Sequence, residues 1–230
     1  MELSKRLNFI IENISDVSVL ADIGTDHGYI PLYAIKNNLC SKAIAVDINK
    51  DPLDKAKLNA ILEGVGDELE FRLGNGLAPI KNGEIDVAVI AGMGGNLIRD
   101  ILEADIEKVK SITNLILVPA QNPEVLREYL YNNDYEIINE DLCYEEGIYY
   151  ELFKVRKKEG EAMSLDPIYY EVSPKLLMKK HPLMKEFLLD KIENYKKING
   201  FITESTINAK ERKEKVNEKI DILTNMVNYL

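Results

Sequence analysis

The chain has 230 residues, 46% hydrophobic and 30% charged, with two cysteines and a formal net charge of −10. That length buries a sizeable core with room for an appendage, and no apolar run reaches the roughly 18 residues of a membrane span. Cys40 and Cys143 have neither metal-ligand spacing nor the numbers of a disulfide framework, so a protein of the reducing cytoplasm with no metal and no membrane attachment is expected.

The charge is uneven. Residues 1–155 hold 14 Lys/Arg against 27 Asp/Glu, whereas residues 156–230 hold 15 against 12. The basic tail reads either as an ordinary solvated helical face or as a phosphate-contacting surface.

In chain order, MELSKRLNFIIENI carries Leu3, Leu7, Ile10, Ile11 and Ile14 at helical spacing among polar and acidic residues, which predicts a packing helix and not a signal peptide. Strand Val19 to Ile23 runs into a turn with Gly24 and Gly28, followed by a helix from Tyr29 to Lys36. A second strand, Ala43 to Val46, ends on Asp47, 25 residues after Asp22. An acidic residue so placed after a glycine turn is positioned to accept from ribose hydroxyls. Then come helix Pro52 to Glu63, strand Glu68 to Leu73, strand Val87 to Ala91, helix Asn96 to Ala104, strand Leu115 to Val118 and helix Pro123 to Tyr131. Runs Tyr135 to Leu142 and Tyr149 to Val155 form a last pair joined by Glu145-Glu146-Gly147. Alternating units and a final hairpin predict a seven-stranded, mostly parallel α/β sheet with its ligand beyond the carboxyl ends of the strands.

The turn Asp22-Ile23-Gly24-Thr25-Asp26-His27-Gly28 selects among nucleotide cofactors. Two carboxylates there would repel the pyrophosphate of NAD but suit the sulfonium and ammonium of S-adenosylmethionine. Asn75, in Gly74-Asn75-Gly76, either presents an amide to an adenine ring or simply makes a turn. The expected cofactor-binding set is Arg6, Asp22, Gly24, His27, Gly28, Asp47, Ile48, Asn75, Gly76, Gly92, Met93 and Gly94.

The segment Arg156 to Asp166 reads as a linker. Beyond it, Leu177, His181, Met184, Leu188, Lys191, Tyr195, Ile198 and Ile202 step by four and three, as do Thr206, Ala209, Lys213, Val216, Ile220, Leu223, Val227 and Leu230. With Asn199-Gly200 as a stop and Thr203 as a restart, two helices of about 25 residues in an antiparallel coiled-coil hairpin are expected. One unbroken dimerising helix is the rival; Gly200 opposes it by only about 1 kcal/mol, and a monomer is expected.

The segments LSKRL, ADIGTDHGYIPLYAI, AVDINKDPL, GNGLAPI, IAGMGG, ILVPAQNPEVLREYL, IYYELFKV and SPKLLMKKHPLMKEFL together resemble the bacterial tRNA adenine-N1 methyltransferases that modify position 22. The resemblance covers nearly the whole chain. It implies a Rossmann-like class I methyltransferase domain, residues 1–158, a helical coiled-coil domain, residues 159–230, and tRNA as partner. Where the family pattern has Gln-Pro-Asn after the fifth strand, this chain reads Val118-Pro119-Ala120-Gln121-Asn122. Its Gly92-Met93-Gly94-Gly95 stands where amine methyltransferases carry Asn/Asp-Pro-Pro-Tyr, which suits attack by a ring nitrogen that already has an in-plane lone pair.

On that reading the candidate catalytic residues are Asp26, His27 and Met93. Asp26 would stabilise a cationic product ring, or else bind the methionine ammonium or cap a helix. His27 would orient the base or take up a proton, or else pack over the cofactor. Met93 would floor the target base, or else complete a tight turn. Arg6 would reach the methionine carboxylate or an RNA phosphate, or cover the sheet edge. A methyltransferase for another RNA position or a small molecule, and an inactive RNA-binding scaffold, are the alternatives.

Overall fold

The computed structural model describes residues 3–15, 17–203 and 206–230 and divides into two compact units, Met1–Asp166 and Pro167–Leu230. In the first, α1 (Lys5–Ile11), β1 (Val17–Ile23), α2 (Tyr29–Lys36), β2 (Cys40–Asp47), α3 (Lys50–Glu63), β3 (Leu69–Leu73) and β4 (Val87–Ala91) follow one another. They are succeeded by α4 (Gly95–Ala104), α5 (Ile106–Ser111), β5 (Asn114–Val118), α6 (Pro123–Asn132), β6 (Tyr135–Glu145) and β7 (Ile148–Lys157). The first two residues of the expected N-terminal helix lie outside the described residues.

One seven-stranded sheet runs in the order β3-β2-β1-β4-β5-β7-β6. Its first five strands are parallel, and β7 joins β5 antiparallel. The central strands are short apolar runs because both faces are covered: Leu20, Ala21, Val89, Ile90, Ile116 and Leu117 have at most 1% exposure. The β6–β7 hairpin turns on Glu146 and Gly147, both at positive φ, the mirror-image turn that matches strand twist.

Two backbone devices shape the ligand end of the sheet. Asn49 caps α3 immediately after β2, and the Asp47 carboxylate accepts from the Asn49 N–H at 2.6 Å. Between β1 and α2, Gly28 sits at φ +72, where a Cβ would lie 2.9 Å from that of Ala56, so glycine is required for α2 and α3 to approach.

α1 is strapped to the far edge of the sheet. Its Arg6 N–H donates to the Glu145 carboxylate at 3.1 Å, and Lys5 Nζ donates to the Tyr144 carbonyl at 2.8 Å. A carboxylate at a helix N-terminus also satisfies the helix dipole.

The stretch expected as a linker is not free chain. Gly160 and Ala162 donate their N–H groups to Asp134 Oδ1 at 3.1 and 3.2 Å, and Met163 N–H donates to the Tyr131 carbonyl at 2.7 Å. The division therefore falls after Asp166, eight residues beyond the expected Lys158.

The second unit comprises α7 (Ile168–Glu171), α8 (Pro174–Met178), α9 (Met184–Phe201) and α10 (Ile207–Tyr229). α9 and α10 are antiparallel, since Asn199 meets Asn217 while Lys180, just before α9, meets the carbonyl of Tyr229. The expected pair of 25-residue helices is corrected in two places. Pro182 cannot sit in a helix interior, so Leu177 belongs to a separate short helix and α9 begins at Met184. At the other end α9 continues through Gly200, and the restart is Thr206, whose hydroxyl accepts from the Ala209 N–H, rather than Thr203. Burial is confined to one half of the pair: Met184, Phe187, Leu188, Ile192, Val216, Leu223 and Met226 are covered, whereas Phe201 and Ile207 are 86% and 76% exposed. Among the described residues no helix is long and apolar enough to cross a membrane.

Candidate functional site

The carboxyl ends of the parallel strands are stitched into a shelf by backbone hydrogen bonds. Gly24 and Thr25 N–H groups donate to the Val46 carbonyl at 2.8 and 2.9 Å, and Gly74 N–H donates to the Asp47 carbonyl at 2.9 Å. On the other side of β1, Gly92 N–H reaches the Val118 carbonyl at 3.1 Å, Ala120 N–H the Met93 carbonyl at 2.8 Å and Gly95 N–H the Gln121 carbonyl at 2.7 Å. The last two extend β4–β5 pairing into the loops, with Gly94 bridged to Gln121. Gly95 has no room for a side chain, because a Cβ would strike the Asn122 carbonyl oxygen.

Over this shelf lies a cleft of ≈ 600 Å³ that brings together Arg6 and Leu7 of α1, Asp22 and Gly24 of β1 and its turn, Asp26 and Tyr29, Asp47 of β2, and Gly92 and Met93 after β4. Six of the expected site residues do not line it. His27 stands at φ +58, its Nε2 3.3 Å from Asp26 Oδ1 and its ring stacked on Tyr29 at 5.5 Å. Gly28 serves helix packing, as does Gly76, where a Cβ would meet Ile101 at 3.0 Å. Ile48 and Asn75 are exposed on the rim, following Asp47 and Gly74, and Gly94 caps α4.

Sequence reading missed Ser4, Leu7, Ile10, Tyr29, Ile30 and Ala91 as cleft residues. The helical spacing of Leu7 and Ile10 pointed to core packing, and nothing local shows that α1 folds back over a turn that follows it in sequence. Tyr29 was detectable as the aromatic that ends the glycine turn.

The electrostatics are those of a cation-binding site with one anion subsite. Asp22 is 4% exposed; burial pushes its carboxyl up to about 6, the neighbouring Thr25 hydroxyl pulling the other way and the charges of Asp26 and Asp47 adding to the rise. Arg6 Cζ lies 5.2 Å over the Tyr150 ring, and among the described residues its guanidinium has no carboxylate partner. Three carboxylates and one guanidinium match a ligand that carries two positive groups, a carboxylate and a ribose diol. Among the described residues no group of three or more His, Cys, Asp or Glu is arranged to hold a metal ion.

Gly24 is the tightest point. It has φ +77, and a Cβ there would overlap the methyl of Met93. Gly24→Ala is expected to lower affinity for the cofactor at least tenfold by displacing Met93 and straining the turn, with the loss read by calorimetric titration.

A parallel five-stranded core closed by an antiparallel β7, with an acidic glycine turn at the end of β1, defines a class I methyltransferase. The family model described as TrmK, tRNA (adenine(22)-N(1))-methyltransferase, matches residues 20–225, and the chain belongs to that family. A Bacillus subtilis (strain 168) protein named tRNA (adenine(22)-N(1))-methyltransferase is 35% identical over 225 residues, 96% of this chain and 94% of its own length. The crystal structure of the B. subtilis m1A22 tRNA methyltransferase TrmK superposes with a TM-score of 0.86 at 33% identity, covering 98% of this chain and 99% of that one. M. capricolum TrmK in complex with S-adenosyl-homocysteine gives a TM-score of 0.85 at 33% identity, covering 99% and 100%.

Proposed function

We infer that this chain transfers a methyl group from S-adenosylmethionine to N1 of adenine 22 in tRNA. The observation that carries the reading is the cleft itself, in which Asp22, Asp26, Asp47 and Arg6 converge beside Gly24 and Met93. The donor set fits this cofactor, which supplies an electrophilic methyl on a sulfonium. Arg6 holds a carboxylate, Asp22 and Asp26 face positive charge, and Asp47 accepts from the ribose hydroxyls. Ile48, Asn75 and Gly76 edge the adenine side of the shelf.

Ring N1 attacks with its own lone pair as the sulfonium leaves as a thioether, so placement matters more than a base. Met93 floors the target base, its carbonyl held by Ala120. Asp26 stabilises the positive charge that develops on the ring, and His27 orients Asp26 from 3.3 Å. The basic helical unit grips the tRNA body through Lys179, Lys180, Lys185, Lys196, Lys197 and the Lys210–Lys215 run. The enzyme works as a cytoplasmic monomer, one chain lining the whole cleft.

The test is incubation of the protein with labelled methyl donor and adenine-22-containing tRNA, then nuclease digestion and nucleoside analysis. N1-methyladenosine that disappears when position 22 is guanine is the expected result; donor binding without product refutes the substrate assignment.

Asp22 adds a pH signature. Its carboxyl is held near 6 in the folded chain against an ordinary 3.8, so the stability it contributes is complete below about 4 and is lost as pH rises through 6. A bound cation favours the carboxylate. Cofactor affinity is therefore expected to rise as pH increases through about 6, with proton release on binding, and Asp22→Asn should flatten that rise in titrations at pH 5 to 8.

A further inference from the structure

The turn that carries Asp26 is held from α3, an element to which the methyl-transfer reading gives no role. Upstream, the Gly24 and Thr25 N–H groups are tied to the Val46 carbonyl; downstream, the Gly28 carbonyl accepts from the Leu32 N–H at 3.0 Å and starts α2. Between these anchors His27 and Gly28 stand in succession at φ +58 and +72. Glycine occupies that region freely, whereas a histidine stays there only if its surroundings hold it.

α3 supplies the hold. Ala56 meets Gly28, and Asn59, one turn further along the same face, donates from Nδ2 to the His27 carbonyl at 3.0 Å. Among the described residues this is the only hydrogen bond that Asp26 or His27 receives from another element. Release of that carbonyl frees the His27–Gly28 peptide to rotate and His27 to leave the left-handed region. Asp26 precedes this pivot and Tyr29 follows it, and both line the cleft. A rotation there swings one against the other and breaks the 3.3 Å contact between His27 Nε2 and Asp26 Oδ1. Asn59 itself is half-buried and is not among the residues that line the cleft.

We propose that Asn59 is a positioning residue for methyl transfer: by holding the His27 carbonyl it fixes the left-handed turn that aims Asp26 into the cleft. It acts through the turn and touches neither donor nor base. The proposal rests on Asp26 stabilising the charge that develops on the adenine ring.

Full-length Asn59→Ala and Asn59→Asp should be compared with the unaltered protein in tRNA methylation and donor binding. Aspartate is close in shape but cannot donate when ionised, and alanine is the better helix former, so α3 persists. The expected result is a fall in kcat of about tenfold to 100-fold, as for a misplaced reacting group. Donor affinity should change far less, because Asp22, Asp47 and Arg6 sit on other elements. His27→Gly lowers activity by itself, yet glycine needs no support at positive φ, so adding Asn59→Ala to it should cost about threefold at most. A role confined to packing α3 would cost the same with histidine or glycine at position 27. The chain has two histidines, His27 and His181, so the imidazole signals are readily told apart by NMR; those of His27 should move in Asn59→Ala while those of His181 stay. Unchanged kcat in both Asn59 variants, or an equal loss in the His27→Gly background, overturns the role of Asn59. If those results come with normal methylation by the unaltered chain, only that role falls; if the unaltered chain binds the donor and forms no N1-methyladenosine, the functional reading falls and the proposal with it.

Discussion

Cutting the chain after Asp166 is expected to leave a folded unit that binds S-adenosylmethionine with unchanged affinity and has lost tRNA methylation by at least about 100-fold in kcat/KM. The first unit keeps the whole sheet, and its main buried cluster, from Leu3 to Leu152, takes every member from within it. It also keeps every residue lining the cofactor cleft. It loses the cations: residues 1–166 hold 17 Lys/Arg against 30 Asp/Glu, while residues 167–230 hold 12 against 9. A strongly acidic body repels a polyanion, and phosphate neutralisation dominates RNA affinity. Calorimetry with the donor establishes that the truncated protein is folded, and nucleoside analysis reads the product. Methylation at the full rate would place RNA recognition in the first unit and remove the role given to the helical one.

Arg127→Met is expected to destabilise the sheet unit severely. Arg127 is fully buried; its Nε donates to Glu140 Oε1 at 2.7 Å, its Nη2 to Glu151, and its Cζ lies 4.7 Å over the Phe153 ring. The guanidinium joins α6 to both strands of the edge hairpin. Methionine would fill much of the volume but strand two carboxylates out of water, at a cost of about 3–5 kcal/mol. For a chain of this size that is a fall of roughly 10 °C in melting temperature. Adding Glu140→Gln and Glu151→Gln should recover part of the loss, which thermal denaturation of the triple variant checks. Arg127→Lys is no substitute, since a single ammonium cannot fork between two carboxylates.

The parts of this molecule that were legible in the sequence are those fixed by local chemistry. β1, β2, β4 and β5 are apolar runs ended by Gly24, Asp47, Gly92 and Pro119, and each strand lies within three residues of its expected limits. Asp22 and Asp26 stand out because two carboxylates contradict a pyrophosphate site, Asp47 because it ends β2 where a ribose acceptor belongs, and Met93 because it sits among the glycines that follow β4; all four line the cleft. What escaped depends on pairing across distance. The Gly94–Gln121 bridge joins two loops that carry no strand pattern. The turn geometry that stacks the His27 ring on Tyr29 arises from a left-handed residue that is not glycine. Arg127, Glu140 and Glu151 look like surface residues until their mutual neutralisation is visible. In the helical unit, regular spacing masked the break at Pro182, where one residue without an N–H outweighed the periodicity around it.

The strap between α1 and the edge hairpin has a consequence for how the enzyme is made. α1, which brings Arg6 and Leu7 to the cleft, is held by Glu145 and Tyr144, and Asn13, just past its end, accepts from Lys154 at 2.9 Å. These partners lie 139 to 141 residues further along the chain. During synthesis α1 leaves the ribosome long before its partners exist, so the nascent chain completes its cofactor pocket only when the sheet's final hairpin has emerged.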